Sequence, residues 1–213
     1  MWDAPVRVTH WLMVASFAAA WLTAESERWR LLHVSAGYTL AGLVAFRIVW
    51  GLVGTRHARF ASFVRGPAAV LAYLRGLLGG HGTHTPGHNP AGALAILALL
   101  GGSALLTASG WALYNELGGH ALEELHEALA NGLLALVGVH VAAVVVSSRL
   151  HRENLVRAMV DGRQSGAAGD AIRRPWRGVA AVVLAAVLGF WAWQWHSAPA
   201  ADITAAHSQG DDD

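Results

Sequence analysis

Two histidines, His126 and His140, stand fourteen positions apart in a long apolar stretch of this chain. Imidazole nitrogen is a good axial ligand for haem iron, and an ionisable side chain at membrane depth is costly enough that it usually marks function. Each has a candidate partner on another apolar segment: His10 near the start of the first, His33 at the start of the second. Fourteen residues of α-helix rise roughly 21 Å and fall about 40° short of four whole turns. One helix therefore presents both imidazoles on one side, at two well-separated levels. Four histidines arranged in two layers have the chemistry to hold two iron porphyrins, with an imidazole on each face of each ring.

The elements that must position them are helices. About twenty apolar residues cross a bilayer as a helix, and five segments qualify: Val8 to Ala24, Leu32 to Val53, Pro90 to Leu113, Leu122 to Ser147 and Gly178 to Trp195. Pro5 and Pro90 suit helix starts, where the missing N–H has no intrahelical partner anyway. No cleavage pattern follows Arg7, so the first apolar run reads as a retained span. The chain is expected to be all-α: a transmembrane helical bundle with a four-helix haem-binding core plus a fifth C-terminal transmembrane helix. The core covers 1–152, a basic cytoplasmic linker 153–177, the fifth helix 178–196 and a flexible polar tail 197–213.

Composition agrees with lipid as the solvent. Only 14% of the 213 residues are charged, against about 25% in soluble domains, and the mean hydropathy is +0.39. A net charge of +1, with its arginines scattered through loops, argues against a nucleic-acid partner. The absence of cysteine excludes disulfides, cysteine-ligated iron–sulfur clusters and thioether attachment of haem. Any haem here is held without covalent bonds to the porphyrin.

Arginines set the expected orientation. Arg56, Arg59, Arg65 and Arg75 lie between the second and third segments, and seven more, from Arg149 to Arg177, follow the fourth. The opposite loops are short and acidic on balance. The positive-inside rule puts the N-terminus in the cytoplasm and the tail outside. The histidines that then match in depth are His10 with His140 and His33 with His126. The arginines and the histidines give one consistent arrangement.

Other residues leave alternatives open. Gly37, Gly42, Gly132 and Gly138 lie on the second and fourth helices, where small residues serve either a planar ring or close helix packing. Arg47, inside the second span, either pairs with haem propionates or snorkels to the interface. Ser35, Thr39, Ser109 and Asn131 are available as hydrogen-bonding partners. The aromatic end of the fifth helix, Phe190 to Trp195, reads as an interfacial belt or as a docking surface. His81, His84 and His88 read as part of a loop more readily than as a metal site. His120 is a competitor of His126, while His57, His151, His196 and His207 read as solvated. Trp11, Arg47 and His57 are weak candidates for a quinone site.

Several motifs in order resemble bacterial cytochrome b561 proteins and the b-type cytochrome subunits of nickel–iron hydrogenases. They are Trp2-Asp3-Ala4-Pro5-Val6-Arg7-Val8-Thr9-His10-Trp11, His33 through Gly37-Tyr38 to Arg47 and Trp50-Gly51, Gly87-His88-Asn89-Pro90, and His126-Glu127 with His140. The resemblance runs from about Trp2 to Arg152, and the fifth helix departs from it. It implies a four-helix core with two non-covalent haems b, each between two histidines, carried over to His10, His33, His126 and His140. It also implies electron exchange in the bacterial inner membrane between the quinone pool and a redox partner, either a periplasmic cytochrome c or a hydrogenase.

Two other readings compete: a stand-alone quinone or superoxide oxidoreductase, and a small transporter whose histidines relay protons or bind metal. The latter lacks the intramembrane carboxylates and broken-helix repeats such proteins commonly use. If the histidines are ligands, replacing His140 with Ala removes one haem and stops electron transfer across the membrane. Unchanged haem content in that variant would refute the assignment.

Overall fold

A computed structural model describes residues 2–64, 90–150, 152–163 and 174–197. Five long helices carry the fold: α1 (Ala4–Leu22), α2 (Arg30–Val53), α4 (Pro90–Tyr114), α5 (His120–Leu150) and α7 (Arg177–Ser197), with short helices α3 (Phe60–Phe63) and α6 (Leu155–Asp161). No strand occurs among the described residues. The histidine loop motif (His81, His84, His88), His151, His207 and the tail from 198 lie outside the described residues.

Packing follows a chain of neighbours: α7 against α1, α1 against α2, α2 against α4, and α4 against α5. The short connection through a 3₁₀ turn, Glu27–Trp29, makes α1 and α2 antiparallel neighbours. Leu40, Val44 and Leu100 join α2 to α4, with Met13, Phe17 and Ile96 packed around them.

The entry to α1 shows how a short sequence fixes this arrangement. Asp3 caps the helix by accepting from the Val6 N–H at 2.9 Å, and Pro5 sits in the first turn. The other carboxylate oxygen accepts from Trp50 Nε1 at 3.0 Å and from the Thr55 hydroxyl at 2.7 Å. Asp3 is only 1% exposed, so one buried carboxylate clamps the start of α1 to the end of α2. Nearby, the Phe60 ring rests directly on Gly51, where any Cβ would collide with it.

The basic linker contains an element that helical periodicity in the long spans does not announce. Helix α6 is capped by the Asn154 side chain, which accepts from the Arg157 N–H. It ends at Gly162, whose φ of 77° is open to glycine at little cost. Its terminal carbonyls lack intrahelical partners. Two side chains from α1 supply them: Arg7 donates to Val160 O and Trp11 Nε1 donates to Met159 O at 3.2 Å. The Arg7 charge also suits the negative end of that helix.

Among the described residues four helices are long and apolar enough to cross a membrane: Glu27–Val53, Gly92–Tyr114, His120–Leu150 and Arg177–Ser197. Helix α1 has 19 residues, roughly 28 Å at 1.5 Å each. Arg7, Thr9 and His10 lower its hydropathy, and it stands outside that group of four, so the expected first span rests on its length and on its place between α2 and α7. The apolar window of α5 is only 6% buried, with Val139, Val141 and Val146 exposed. An apolar surface of that extent is a liability in water and is the natural boundary with lipid.

The fifth long helix is docked by polar bonds as well as by apolar contact. Trp191 Nε1 donates to Thr39 Oγ1 at 2.8 Å, and Gln194 Nε2 to Ser35 Oγ at 3.4 Å. Thr39 passes its own proton to Ser35 O. Ser35 and Thr39 therefore bind α7. The aromatic end divides its roles: Trp191 turns inward, while Trp193 and Trp195 are exposed, as an interfacial belt requires.

Replacing Asp3 with Ala should cost about 2–4 kcal/mol, from the lost cap and the two buried donors left unpaired. Thermal unfolding of the detergent-purified protein measures this, and a change below about 0.5 kcal/mol, the scale of an ordinary surface substitution, would show that the clamp is not structural.

Candidate functional site

The antiparallel pairing of α1 and α2 places His10, in the second turn of α1, level with the end of α2. His33 lies in the first turn of α2, and its ring meets that of His126 from α5 with centroids 6.4 Å apart and planes at 71°. His10 and His140 are close enough to interact electrostatically. His33 and His126 are thus in ring contact, while His10 and His140 share an electrostatic field.

The His33/His126 separation has a chemical reading. Two imidazoles on opposite sides of one metal, each bonded through Nε2 at about 2 Å, place their ring centroids about 6.3 Å apart. The outer nitrogens are already tied down. His33 Nδ1 lies 2.8 Å from the Ala20 carbonyl; a carbonyl only accepts, so Nδ1 carries the proton and Nε2 the lone pair. Ala20 is in the last turn of α1, where carbonyls lack α-helical partners.

His126 Nδ1 lies 2.9 Å from Ser109 Oγ. The Ser109 hydroxyl also reaches Leu106 O at 2.8 Å, and with its proton directed there its oxygen accepts from Nδ1–H. Both rings at this level therefore turn a free Nε2 away from their anchors. Holding the far nitrogen of a ligating histidine in this way fixes its tautomer and orientation.

The other level is less tethered. His10 stacks edge-on with Trp11, centroids 5.2 Å apart, and its buried Nδ1 has no hydrogen-bond partner among the described residues. Arg47 is 6% exposed, so it does not snorkel. Its guanidinium lies 5.1 Å over the Phe60 ring and within the field of Asp3. Its buried NH1 has no partner among the described residues. Arg47 follows His33 by fourteen positions, as His140 follows His126. The two helices run in parallel, so Arg47 shares the stripe of His33 about 21 Å further along α2, and its guanidinium lies toward Phe60 and Asp3.

The glycines separate into different roles. Gly37 lies about 40° from His33 around α2, and a Cβ there would meet nothing within 4 Å, leaving room beside the imidazole. Gly42 is on the opposite face and lines an apolar cleft of about 820 Å³ between α2 and α7, with Tyr38, Phe46, Trp176 and Phe190. Gly132 and Gly138 are turned about 120° from the imidazole stripe and are exposed. The ring-approach reading fits Gly37 alone.

A glycine that pattern reading missed is closer to the chemistry. A Cβ on Gly110 would sit 2.9 Å from His126 Cε1, so α4 accommodates the ring only because that position is bare. No local pattern singles it out, because the same helix also carries Gly92, Gly101 and Gly102. Other sequence candidates stand apart from the pairs. His120 is exposed and faces Glu123 and Glu124 at 3.5 and 3.3 Å, so it does not compete with His126. Asn131 and His196 are exposed, and His57 is half-buried rather than solvated. No cluster of three or more metal-ligating side chains occurs among the described residues.

Fold and site together define a class: an all-helical, multi-pass membrane protein with half-buried imidazoles that meet across helices. A sequence model of the prokaryotic cytochrome b561 family matches residues 1–162, and the chain belongs to that family. The "Probable Ni/Fe-hydrogenase 1 B-type cytochrome subunit" of Escherichia coli (strain K12) is 27% identical over 143 residues, which cover 54% of this chain and 60% of that protein. Its counterpart in Escherichia coli O157:H7 matches to the same extent. The match thus spans less than two thirds of these relatives' length. No solved structure matches.

Membership of that family implies haem b. The donor set fits that group. It offers nitrogen ligands without thiols, an imidazole pair at the right separation, and an unpartnered buried guanidinium suited to a carboxylate. Gly110→Ala should push His126 off its position and lower the haem-to-protein ratio by about one haem per chain. A ratio equal to wild type would show that the ring has room to yield.

Proposed function

We propose that this chain holds two haems b, one between His33 and His126 and one between His10 and His140. In this reading Arg47 pairs with a propionate at the second level. The protein passes electrons between the quinone pool and a redox partner. The observation that carries the reading is the matched register: His33 to Arg47 and His126 to His140 span the same fourteen positions on parallel helices, so each level receives groups from both.

Haem held by His33 with His126 and by His10 with His140 would supply a one-electron Fe(III)/Fe(II) couple suited to electron transfer. The chain does the rest. Ala20 and Ser109 orient two of the imidazoles, apolar helix faces exclude water, and Arg47 balances carboxylate charge in a setting where an unpaired charge is costly. The arginine-rich end, which carries the start of α1 and helix α6, faces the cytoplasm of a bacterial inner membrane by the positive-inside rule. The fifth long helix then ends on the periplasmic side. The relatives' printed name favours a nickel–iron hydrogenase as partner over a cytochrome c. Of the three residues considered for quinone, Trp11 has its N–H engaged by Met159 and Arg47 lies beneath Phe60, which leaves His57 as the better candidate.

The test is haem quantification and reduced-minus-oxidised absorption of the purified protein. Two low-spin b haems per chain are expected. His33→Ala and His126→Ala should lose the same spectral component, and His10→Ala and His140→Ala the other. Loss of different components within one pair, or a colourless protein after expression with ample haem, would overturn the reading.

A further inference from the structure

The two levels differ in what holds their imidazoles, and the consequence rests on the ligand assignment just proposed. At the His33/His126 level both Nδ1–H groups have an acceptor, the Ala20 carbonyl at 2.8 Å and the Ser109 hydroxyl at 2.9 Å. Ser109 Oγ accepts from Nδ1–H when its own hydroxyl points to Leu106 O, 2.8 Å away. At the His10/His140 level the buried His10 Nδ1 has no partner among the described residues, and the buried guanidinium of Arg47 stands at the same depth.

Hydrogen bonding from Nδ1–H makes an imidazole a stronger donor to its metal. A stronger donor favours the ferric state over the ferrous one and lowers the reduction potential. A fixed cation acts oppositely: reduction adds one electron to the site, and a neighbouring positive charge in a medium of low dielectric stabilises the added charge. Second-shell hydrogen bonding and local charge are both recognised levers on haem potential. Here each is applied at a different level, and both separate the two couples in the same direction.

We propose that Ser109 and the Ala20 carbonyl set the His33/His126 haem to the lower potential, while the untethered His10 and the Arg47 charge set the His10/His140 haem to the higher one. Ser109 is a positioning residue that touches His126 and acts on the iron only through it. Gly110 belongs to the same device, since its bare backbone lets the ring reach the hydroxyl. An electron entering at the His33/His126 level therefore runs downhill to the level of Arg47.

Potentiometric titration of the purified two-haem protein, followed by visible absorption, tests this. Ser109→Ala should raise the lower of the two potentials by about tenfold in the one-electron equilibrium, ~59 mV, and leave the upper one in place. Ser109→Thr keeps a hydroxyl and should restore the lower value. Arg47→Gln should lower the upper potential alone. The His140→Ala protein, with a single haem, assigns the component: its remaining potential should be the lower one and should respond to Ser109→Ala. Two bound haems with unchanged potentials in Ser109→Ala, a shift of the upper couple instead, or loss of haem from that variant would overturn the tuning role. Retention of both haems in His140→Ala would instead overturn the ligand assignment on which it rests.

Discussion

A polar or charged group removed from water must find its partners inside the protein or remain a large energetic cost. That constraint organises this molecule. His33 and His126 sit on apolar helices, and each has one nitrogen answered by a neighbour, Ala20 O and Ser109 Oγ. Asp3, almost wholly buried, is answered three times, by Val6, Trp50 and Thr55. The exceptions among the described residues are Arg7 Nε, Thr9 Oγ1, His10 Nδ1 and Arg47 NH1, which are buried without a hydrogen-bond partner.

The same constraint explains why the helices are held by so few polar contacts in such specific places. Lipid is as apolar as leucine, so burial alone drives helices together weakly, and close packing and interhelical hydrogen bonds gain importance. Trp191 and Gln194 dock the fifth long helix through Thr39 and Ser35. Arg7 and Trp11 complete the carbonyl end of α6. Each bond satisfies a group that would otherwise be orphaned while fixing the relative position of two helices. The exposed valines of α5 need no such answer, because lipid supplies it.

Much of the site was legible as a local pattern. The rise and turn of an α-helix are constant, so the spacing of His126 and His140, and of His33 and Arg47, fixes stripe and depth without reference to any other element. Depth matching against the arginine distribution then selected His10 with His140 and His33 with His126, and the rings of the second pair meet in the structure. The glycines were less legible for the same reason in reverse. Gly42, Gly132 and Gly138 share helices with the ligand candidates but not their faces, and Gly42 borders a cleft made by α7. Ser35 and Thr39 read as available hydrogen-bonding groups, and they are the seat of Trp191 and Gln194. The basic linker read as a connector because α6 is too short for periodicity to reveal it.

The sequence by itself therefore determined which groups can do chemistry, on which helical stripe they lie and at what depth, because these depend only on residue type and the invariant geometry of one helix. The tertiary structure decided which nitrogen each imidazole keeps free, that Asp3 clamps α1 to α2, that Gly110 makes room for His126, and that the two levels are tethered unequally. Those properties depend on how separate helices are rotated and translated against one another. That choice is made by summed packing and hydrogen bonding between elements far apart in the chain, and no single segment encodes it.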